Sequence, residues 1–175
     1  MHRRIGLKRS VARTRALALL DEVMIRDPAR VAELYPHELS GGMRQRVLIA
    51  LAFAGEPRLI IADEPTTALD VTVQWGILRL LRDMQIRHGA AVLFITHDLG
   101  IVAKICRTMT VLHAGRVLEQ GMTADLLANP RHPYTRALLA STPRVDRPAD
   151  VLQPIPRDLL DALWAEAYAT VLARS

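Results

Sequence analysis

Between Val11 and Met24 apolar residues recur at 16, 17, 19, 20, 23 and 24, with Arg13 and Arg15 before them and Asp21-Glu22 between them, which is the period of a helix. Asp27-Pro28 ends that pattern, and Tyr35-Pro36-His37 breaks the chain again. Ser40 then stands where a helix N-cap belongs, ahead of Gly41-Gly42 and the apolar-rich run Met43 to Ala54, which Gly55 and Pro57 close. Arg58-Leu59-Ile60-Ile61-Ala62 is short, apolar and followed by two acids, and it reads as a strand buried on both faces, as in a parallel sheet. Val71 to Arg87, with apolar residues at 73, 77, 78, 80, 81, 84 and 86, predicts a third helix ending near His88-Gly89. Ala91 to Ile95 is a second buried strand. Strand, crossover helix and strand predict a right-handed βαβ unit with the C-terminal ends of both strands at one sheet edge.

Beyond it, Thr108 to Leu112 and Arg116 to Glu119 flank His113-Ala114-Gly115, a hairpin with a glycine turn. Helices are expected at about 123–128 and 134–141. Prolines crowd the stretch 143–156, which reads as a linker, and the tail then places apolar residues at 159, 160, 163, 164, 167, 168, 171 and 172, an amphipathic helix. Trp75 and Trp164 fall at positions that suit a helix core.

Composition narrows the class. The 175 residues, half of them hydrophobic, can bury a core without disulfides or metals. Cys106 is the single cysteine and cannot pair within the chain, so a disulfide-stapled scaffold is excluded; set among apolar residues, it is expected to be buried. The longest unbroken apolar stretch, Val47 to Ala54, is too short for a membrane span. The basic start leads into no apolar signal core, which points to a cytosolic protein. Residues 1–20 hold Arg3, Arg4, Lys8, Arg9, Arg13 and Arg15 and no acid, whereas the other 155 residues carry 17 basic and 18 acidic side chains. The basic excess is therefore an N-terminal feature. No aromatics interleave with these arginines, which favours a solvated helix face over a nucleic-acid arm. His2, His88 and His113 have no metal-ligand spacing, so no zinc is assigned.

Asp63-Glu64 follows the first strand directly. Alone, an acidic pair there is an ordinary solvated turn. Three further features change the reading: Ser40-Gly41-Gly42 opens a helix upstream, Ala68-Leu69-Asp70 ends six residues beyond Glu64, and Thr96-His97-Asp98 closes the next strand. Each suits phosphate chemistry. Amides at a helix N-terminus bind anions, and glycines let a phosphate approach closely. An acid at a strand end can hold Mg²⁺ through its water shell, and a neighbouring carboxylate can deprotonate an attacking water. A histidine at the adjacent strand end can sense a terminal phosphate.

Together these residues resemble the ATP-binding cassette (ABC) family. Leu39-Ser40-Gly41-Gly42-Met43 is similar to its signature motif, Leu59 to Glu64 to its Walker B strand, Ala68-Leu69-Asp70 to its D-loop and His97 to its switch histidine. The resemblance implies an α/β, P-loop NTPase-like cassette fragment. It would comprise part of the helical subdomain (1–55), an α/β core (56–128) and a helical C-terminal extension (129–175). It also implies that Asp63 serves Mg²⁺ through water, Glu64 is the general base, and His97 contacts the γ-phosphate. Ser40, Gly41 and Gly42 would touch ATP held by the opposite subunit, with Asp70 in the D-loop. Met43 stands where the family has glutamine, which removes one side-chain contact and leaves the backbone contacts. The strings Tyr35 to Arg46 and Asn129 to Leu139 resemble the oligopeptide, dipeptide and nickel importer group, over about residues 10 to 145. His132-Pro133-Tyr134 is also simply a helix start with proline at its first position, so the longer string carries the assignment.

A phosphate loop needs G-x-x-x-x-G-K-[ST]. The two lysines, Lys8 and Lys104, follow Leu7 and Ala103, so residues 1–175 contain no such motif. By resemblance the sequence is expected to be the back part of a cassette subunit. Its tail also departs from the group, where a cysteine-bearing segment is common. Here Ile155-Pro156 leads into a cysteine-free helix, either a divergent tail packed on the domain or the product of a frame disruption.

The function implied is the ATP-hydrolysing subunit of an importer for peptides or related small solutes, using ATP and Mg²⁺. Its partners would be a second nucleotide-binding subunit, permease subunits and, indirectly, a solute-binding protein, at the cytoplasmic face of the membrane. Two other classes compete: a non-enzymatic remnant supplying only the signature side, and a cassette ATPase acting on nucleic acid or ribosomes. The His132 to Leu139 string disfavours the latter, and no nucleic-acid partner is assigned.

Overall fold

The computed structural model describes residues 8–67, 69–142 and 153–172. Arg3 and Arg4 of the basic start, Ala68 of the D-loop string, residues 143–152 of the linker and the last three residues lie outside that description. The chain divides into two compact units, residues 1–95 and 96–175.

In the first unit, α1 (Arg9–Glu22) is followed by a short α2 (Pro28–Val31) and a 3₁₀ turn (Pro36–Glu38). Helix α3 (Gly41–Phe53), strand β1 (Leu59–Asp63), helix α4 (Val71–His88) and strand β2 (Ala91–Ile95) complete it. Local chemistry sets several of these bounds. Asp27 accepts the Arg30 amide at 3.2 Å and starts α2 with Pro28 at its first position. Ser40 accepts the Met43 amide at 3.3 Å and starts α3, and Asp70 accepts the Val73 amide at 2.9 Å and starts α4. Gly89, at φ +64°, ends α4 in the left-handed conformation that only glycine adopts without cost. The α1 helix stops at Glu22, short of the sequence expectation, because Met24 takes a positive φ and turns the chain.

The core of this unit lies among α1, α3, α4 and one face of the strands. Val23, Phe53, Ile77, Leu80 and Met84 are wholly or almost wholly buried. Ile60 and Ala62 of β1 join them, with Val92 and Phe94 of β2 packed alongside. Polar ties reinforce the helix ends: Arg46 donates to the Val23 carbonyl at 2.8 Å, and His88 lies 2.9 Å from the Glu22 carboxylate and against the Phe53 ring.

The strands β1 and β2 pair in parallel, Leu59 opposite Ala91 through Asp63 opposite Ile95, with α4 as the crossover. The expected βαβ unit is therefore present, but its strands are not buried on both faces. Leu59, Ile61, Leu93 and Ile95 are 55%, 63%, 50% and 45% exposed. Successive side chains alternate across a sheet, and α4 and its neighbours cover only the face of Ile60 and Ala62.

The second unit holds α5 (Leu99–Ile105), a β3–β4 hairpin (Thr108–His113 and Arg116–Met122), α6 (Thr123–Ala128), α7 (Pro133–Ala140) and α8 (Arg157–Leu172). Helix α5 is absent from the sequence reading; Asp98 caps it, accepting the Ile101 amide at 3.1 Å. The hairpin turns at Ala114-Gly115, both at positive φ (48° and 74°), as a two-residue turn matching strand twist requires. Met109, Val111 and Leu126 form its small core. The tail helix α8 buries Leu163 and Ala167, sets Trp164 edge-on to His113 at 5.7 Å, and pairs Glu166 with Arg116 at 3.0 Å. Trp75 and Trp164 are exposed rather than central to helix cores, because the cores fill with the neighbouring positions Ile77, Leu78, Leu163 and Ala167. Cys106 is half-buried rather than buried, and that partial burial still raises its thiol pKa.

Phe53 marks the point where α3 closes on α4. Phe53→Ala is expected to lower unfolding free energy by about 3–5 kcal/mol in urea titration. Exposed Ile86→Ala should stay within about 0.5 kcal/mol.

Candidate functional site

The first unit assembles most of the candidate residues from three chain segments. The N-terminus of α3 lies against the start of α4: a Cβ on Gly42 would sit 3.1 Å from the Val73 side chain, and one on Gly41 would sit 3.6 Å from that of Leu69. A side chain at 42 would therefore press on Val73, which would have to give by a few tenths of an ångström. Gly41 has ordinary room. Ser40 and Gly41 are exposed, so the amides heading a thirteen-residue helix, with no acid in its first turn, face open space.

The loop between β1 and α4 is held by a short ladder. Glu64 donates its amide to the Ile95 carbonyl at 2.9 Å, which extends the strand pairing by one bond. Its backbone then turns through φ +45°, a conformation that costs free energy for any residue but glycine. Thr67 fixes the turn twice, with its amide on the Glu64 carbonyl at 3.2 Å and its hydroxyl on Glu64 Oε2 at 2.8 Å. Gln74 reaches back from α4 to the Thr66 hydroxyl at 3.2 Å, and the Leu69 amide donates to the Thr66 carbonyl. The sequence reading missed Thr67 and Gln74. Their roles come from a side-chain hydroxyl and amide that carry no motif of their own.

Asp63 is exposed and on the open face of β1, two and four residues beyond Ile61 and Leu59. Its carboxylate has no hydrogen bond or ion pair among the described residues, and no group of three metal-ligating side chains occurs among them. One uncommitted carboxylate suits Mg²⁺ that keeps several waters and takes its other ligands from phosphate. His97 opens the second unit beside Asp98, whose amide donates to the Thr96 hydroxyl at 3.1 Å.

A separate feature of the second unit organises the Asn129 to Leu139 string. The two carboxylate oxygens of Glu119, on β4, accept the amides of Arg131 at 2.8 Å and His132 at 3.2 Å. His132 Nδ1 accepts the Tyr134 amide at 3.1 Å as the N-cap of α7, and the Tyr134 ring lies tilted against that of His113, centroids 4.7 Å apart. Burial pushes the Glu119 carboxyl up, but the Thr135 hydroxyl, the Arg131 and His132 amides and the charge of nearby His132 together outweigh it and hold the carboxyl below its ordinary value. Glu119 was not among the sequence candidates, since its partners lie twelve and thirteen residues away.

Comparison with known proteins gives two family matches: "ABC transporter" over residues 9–67 and "Oligopeptide/dipeptide transporter, C-terminal region" over 118–164. The second begins beside Glu119 and runs into α8, beyond the expected limit near 145. A probable D,D-dipeptide transport ATP-binding protein of Escherichia coli is 54% identical over 150 residues, 86% of this chain and 46% of that protein. An oligopeptide transport ATP-binding protein of Bacillus subtilis is 44% identical over 167 residues, 93% of this chain and 47% of that protein. The contacts of α8 with His113 and Arg116 pack the tail helix on its own unit. The chain spans about half the length of the curated relatives it matches. Among solved structures, a Clostridium perfringens part of an ABC transporter complex is similar at 32% identity and TM-score 0.63, covering 72% of this chain and 49% of that one. A dimeric ATP-binding cassette bound to ADP and Pi is similar at 33% identity and TM-score 0.58, covering 69% and 50%.

The lowered Glu119 carboxyl sets a pH dependence. Its contribution to stability is complete above the unfolded carboxylate value and is lost as pH falls through the lower folded value. The difference in urea stability between the chain and its Glu119→Gln variant should therefore be constant near neutrality and shrink in acid.

Proposed function

The chain belongs to the ABC transporter family, and on that premise we propose that it forms the signature-bearing part of an ATP-hydrolysing subunit of an importer for peptides or related small solutes. The observation that carries this reading is the exposed head of α3, where Ser40 caps a helix beside two glycines and opposite no phosphate loop of residues 1–175. The match of residues 118–164 to the oligopeptide/dipeptide transporter region supports the solute class and weighs against an ATPase acting on nucleic acid. No helix among the described residues is long and apolar enough to cross a membrane. The proposed location, the cytoplasmic face, therefore comes through permease subunits, with a solute-binding protein acting upstream of them. Residues 1–55 would belong to the helical subdomain, 56–128 to the α/β core and 129–175 to the C-terminal extension.

In this mechanism two cassettes meet head to tail, and the amides of Gly41 and Gly42 with the Ser40 hydroxyl face the γ-phosphate of ATP on the opposite subunit. Asp63 would hold Mg²⁺ through water, and that ion supplies neutralisation of phosphate charge. Glu64 takes the proton of the attacking water, its carboxylate held by the Thr67 hydroxyl and its backbone by Ile95. His97 contacts the terminal phosphate. Asp70 secures the first turn of α4 behind Leu69 and Val73, the residues on which the signature glycines rest.

A polypeptide of residues 1–175 alone should not turn over ATP in a phosphate-release assay, because the lysine and amide nest for the β- and γ-phosphates are missing from it. Joined to a phosphate-loop segment of a related subunit, it should gain magnesium-dependent turnover. Glu64→Gln should lower that turnover by ~10²–10⁴-fold while ATP binding persists. Turnover that never appears would favour the non-enzymatic remnant.

The signature should also act in trans. With an intact cassette whose own base is disabled, the chain should co-elute only when ATP is present. Gly41→Asp should abolish this co-elution by setting a carboxylate against the phosphate. It is the clean substitution, since its Cβ meets Leu69 at an ordinary 3.6 Å, whereas any side chain at Gly42 presses on Val73. Co-elution indifferent to ATP would remove the signature from the contact.

A further inference from the structure

Asp125 and Arg131 are opposite charges that the second unit sets on one groove and leaves unengaged. The groove, of about 720 Å³, runs between β4 and α6 and on to the loop that enters α7. Gly121 of the strand lies directly against Leu126 of the helix there, where a Cβ on Gly121 would come 2.5 Å from Leu126 Cδ1. Successive side chains of a strand point to opposite faces, yet all of residues 118–122 line the groove, so β4 presents backbone to it as well as side chains. Among the described residues β4 pairs with β3 alone, which leaves its other edge without a strand neighbour. The Asn129 amide donates to the Asp125 carbonyl at 2.8 Å, so the side chains of these two residues share one side of α6. Asp125, Asn129 and Arg131 are exposed, and their side chains have no hydrogen bond or ion pair among the described residues. Glu119 differs, since its oxygens already hold the amides of Arg131 and His132. One acid and one base therefore remain open along the groove.

We propose that this groove binds a short zwitterionic peptide, its carboxylate on the Arg131 guanidinium, its ammonium on Asp125 and its amides along β4. Charge selects the two ends. An anion alone would satisfy Arg131 and be repelled by Asp125, and a cation alone would meet the opposite conflict. A molecule with both ends answers both side chains, and the guanidinium fork matches a carboxylate through two parallel hydrogen bonds. The strand selects the middle. Peptide amides supply the alternating donors and acceptors that an unpaired strand edge can bond, which a lone amino acid does not. The volume of the groove falls within the roughly 300–1,000 Å³ usual for small-molecule sites. The site is read from its own charges and needs neither ATP nor a second subunit, so it stands apart from the ATPase reading.

The test is isothermal titration of residues 1–175, free of nucleotide, with dialanine, trialanine and tetraalanine, each also in N-acetylated and in C-amidated form. At least one free peptide should bind with a Kd of about 1 mM or tighter. Either cap should weaken that binding by about tenfold or more, because it removes a charged partner from a hydrogen bond. Two variants assign the ends. In Arg131→Gln the amide cap should have no further effect while the acetyl cap still weakens binding, and in Asp125→Asn the reverse should hold. A side chain that only supported the fold would weaken every ligand alike. Arg107→Gln, an exposed charge of the same unit outside the groove, should leave every affinity unchanged. Circular dichroism should show parent helix content in each variant, since Asp125 is exposed and Arg131→Gln keeps the backbone amide that Glu119 holds. The cap effects on the parent chain are decisive without any variant. Absence of binding by all three free peptides overturns the proposal, and so does binding indifferent to both caps. Cap effects that persist undiminished in folded Arg131→Gln and Asp125→Asn remove these two residues from the site. Inorganic phosphate binding as tightly as the best peptide would show an anion site at Arg131 alone and overturn the zwitterion.

Discussion

The close approach of α3 to the first turn of α4 is the constraint on which the candidate site depends. It occurs where Gly42 meets Val73, with the Asp70 cap fixing the turn that carries Val73. Farther along, the same two helices bury Phe53, Ile77, Leu80 and Met84. Moving α3 away from α4 would therefore disturb both the exposed amides at its head and the loop that ends in Asp70. That loop also carries Thr67, whose hydroxyl holds the Glu64 carboxylate. The residues proposed to face an opposite subunit's nucleotide and those proposed to act on the water of their own site thus share one packed scaffold.

Much of this scaffold is legible in the sequence because its boundaries are set by local chemistry. The Ser40 cap, the Gly89 stop, the hairpin at Ala114-Gly115 and the strand Ala91–Ile95 each depend on residues within a few positions. The candidates Asp63, Glu64 and His97 come from the resemblance to the family's motifs, and the structure places Asp63 at the end of β1 and His97 two residues past β2. What escaped reading depends on distance or on direction. Leu-Ile-Ile-Ala contains no polar residue, so its composition cannot say that Ile60 faces the core and Ile61 the solvent. Gly42 and Val73 meet from separate helices, and Glu119 reaches a loop beyond α6. Helix α5 is seven residues long, too short for periodicity to separate it from a strand.

The second unit shows how a string of residues can be recognisable before its physical reason is. Asn129 to Leu139 has a plain structural role around His132, whose ring caps α7 and whose amide lies on Glu119. A carboxylate on β4 thereby fixes the entry to α7, and Tyr134 follows within reach of His113. Trp164 contacts the same histidine from α8, so hairpin, α7 and tail helix share a single aromatic junction. The tail is joined to its unit at that junction and through the Arg116–Glu166 pair.

The parallel pair has a colloidal consequence. Among the described residues β1 and β2 each have a single strand neighbour, so each offers an outer row of backbone donors and acceptors next to exposed Ile61 or Leu93. Natural sheets commonly blunt such edges with lysine, proline or a bulge placed within the strand, and neither Leu59–Asp63 nor Ala91–Ile95 contains lysine or proline. Strand addition between molecules is second order in concentration, whereas unfolding is first order. A dilute solution of the chain can therefore be well folded and clear while a concentrated one of the same chain clouds, with no change in its intrinsic stability.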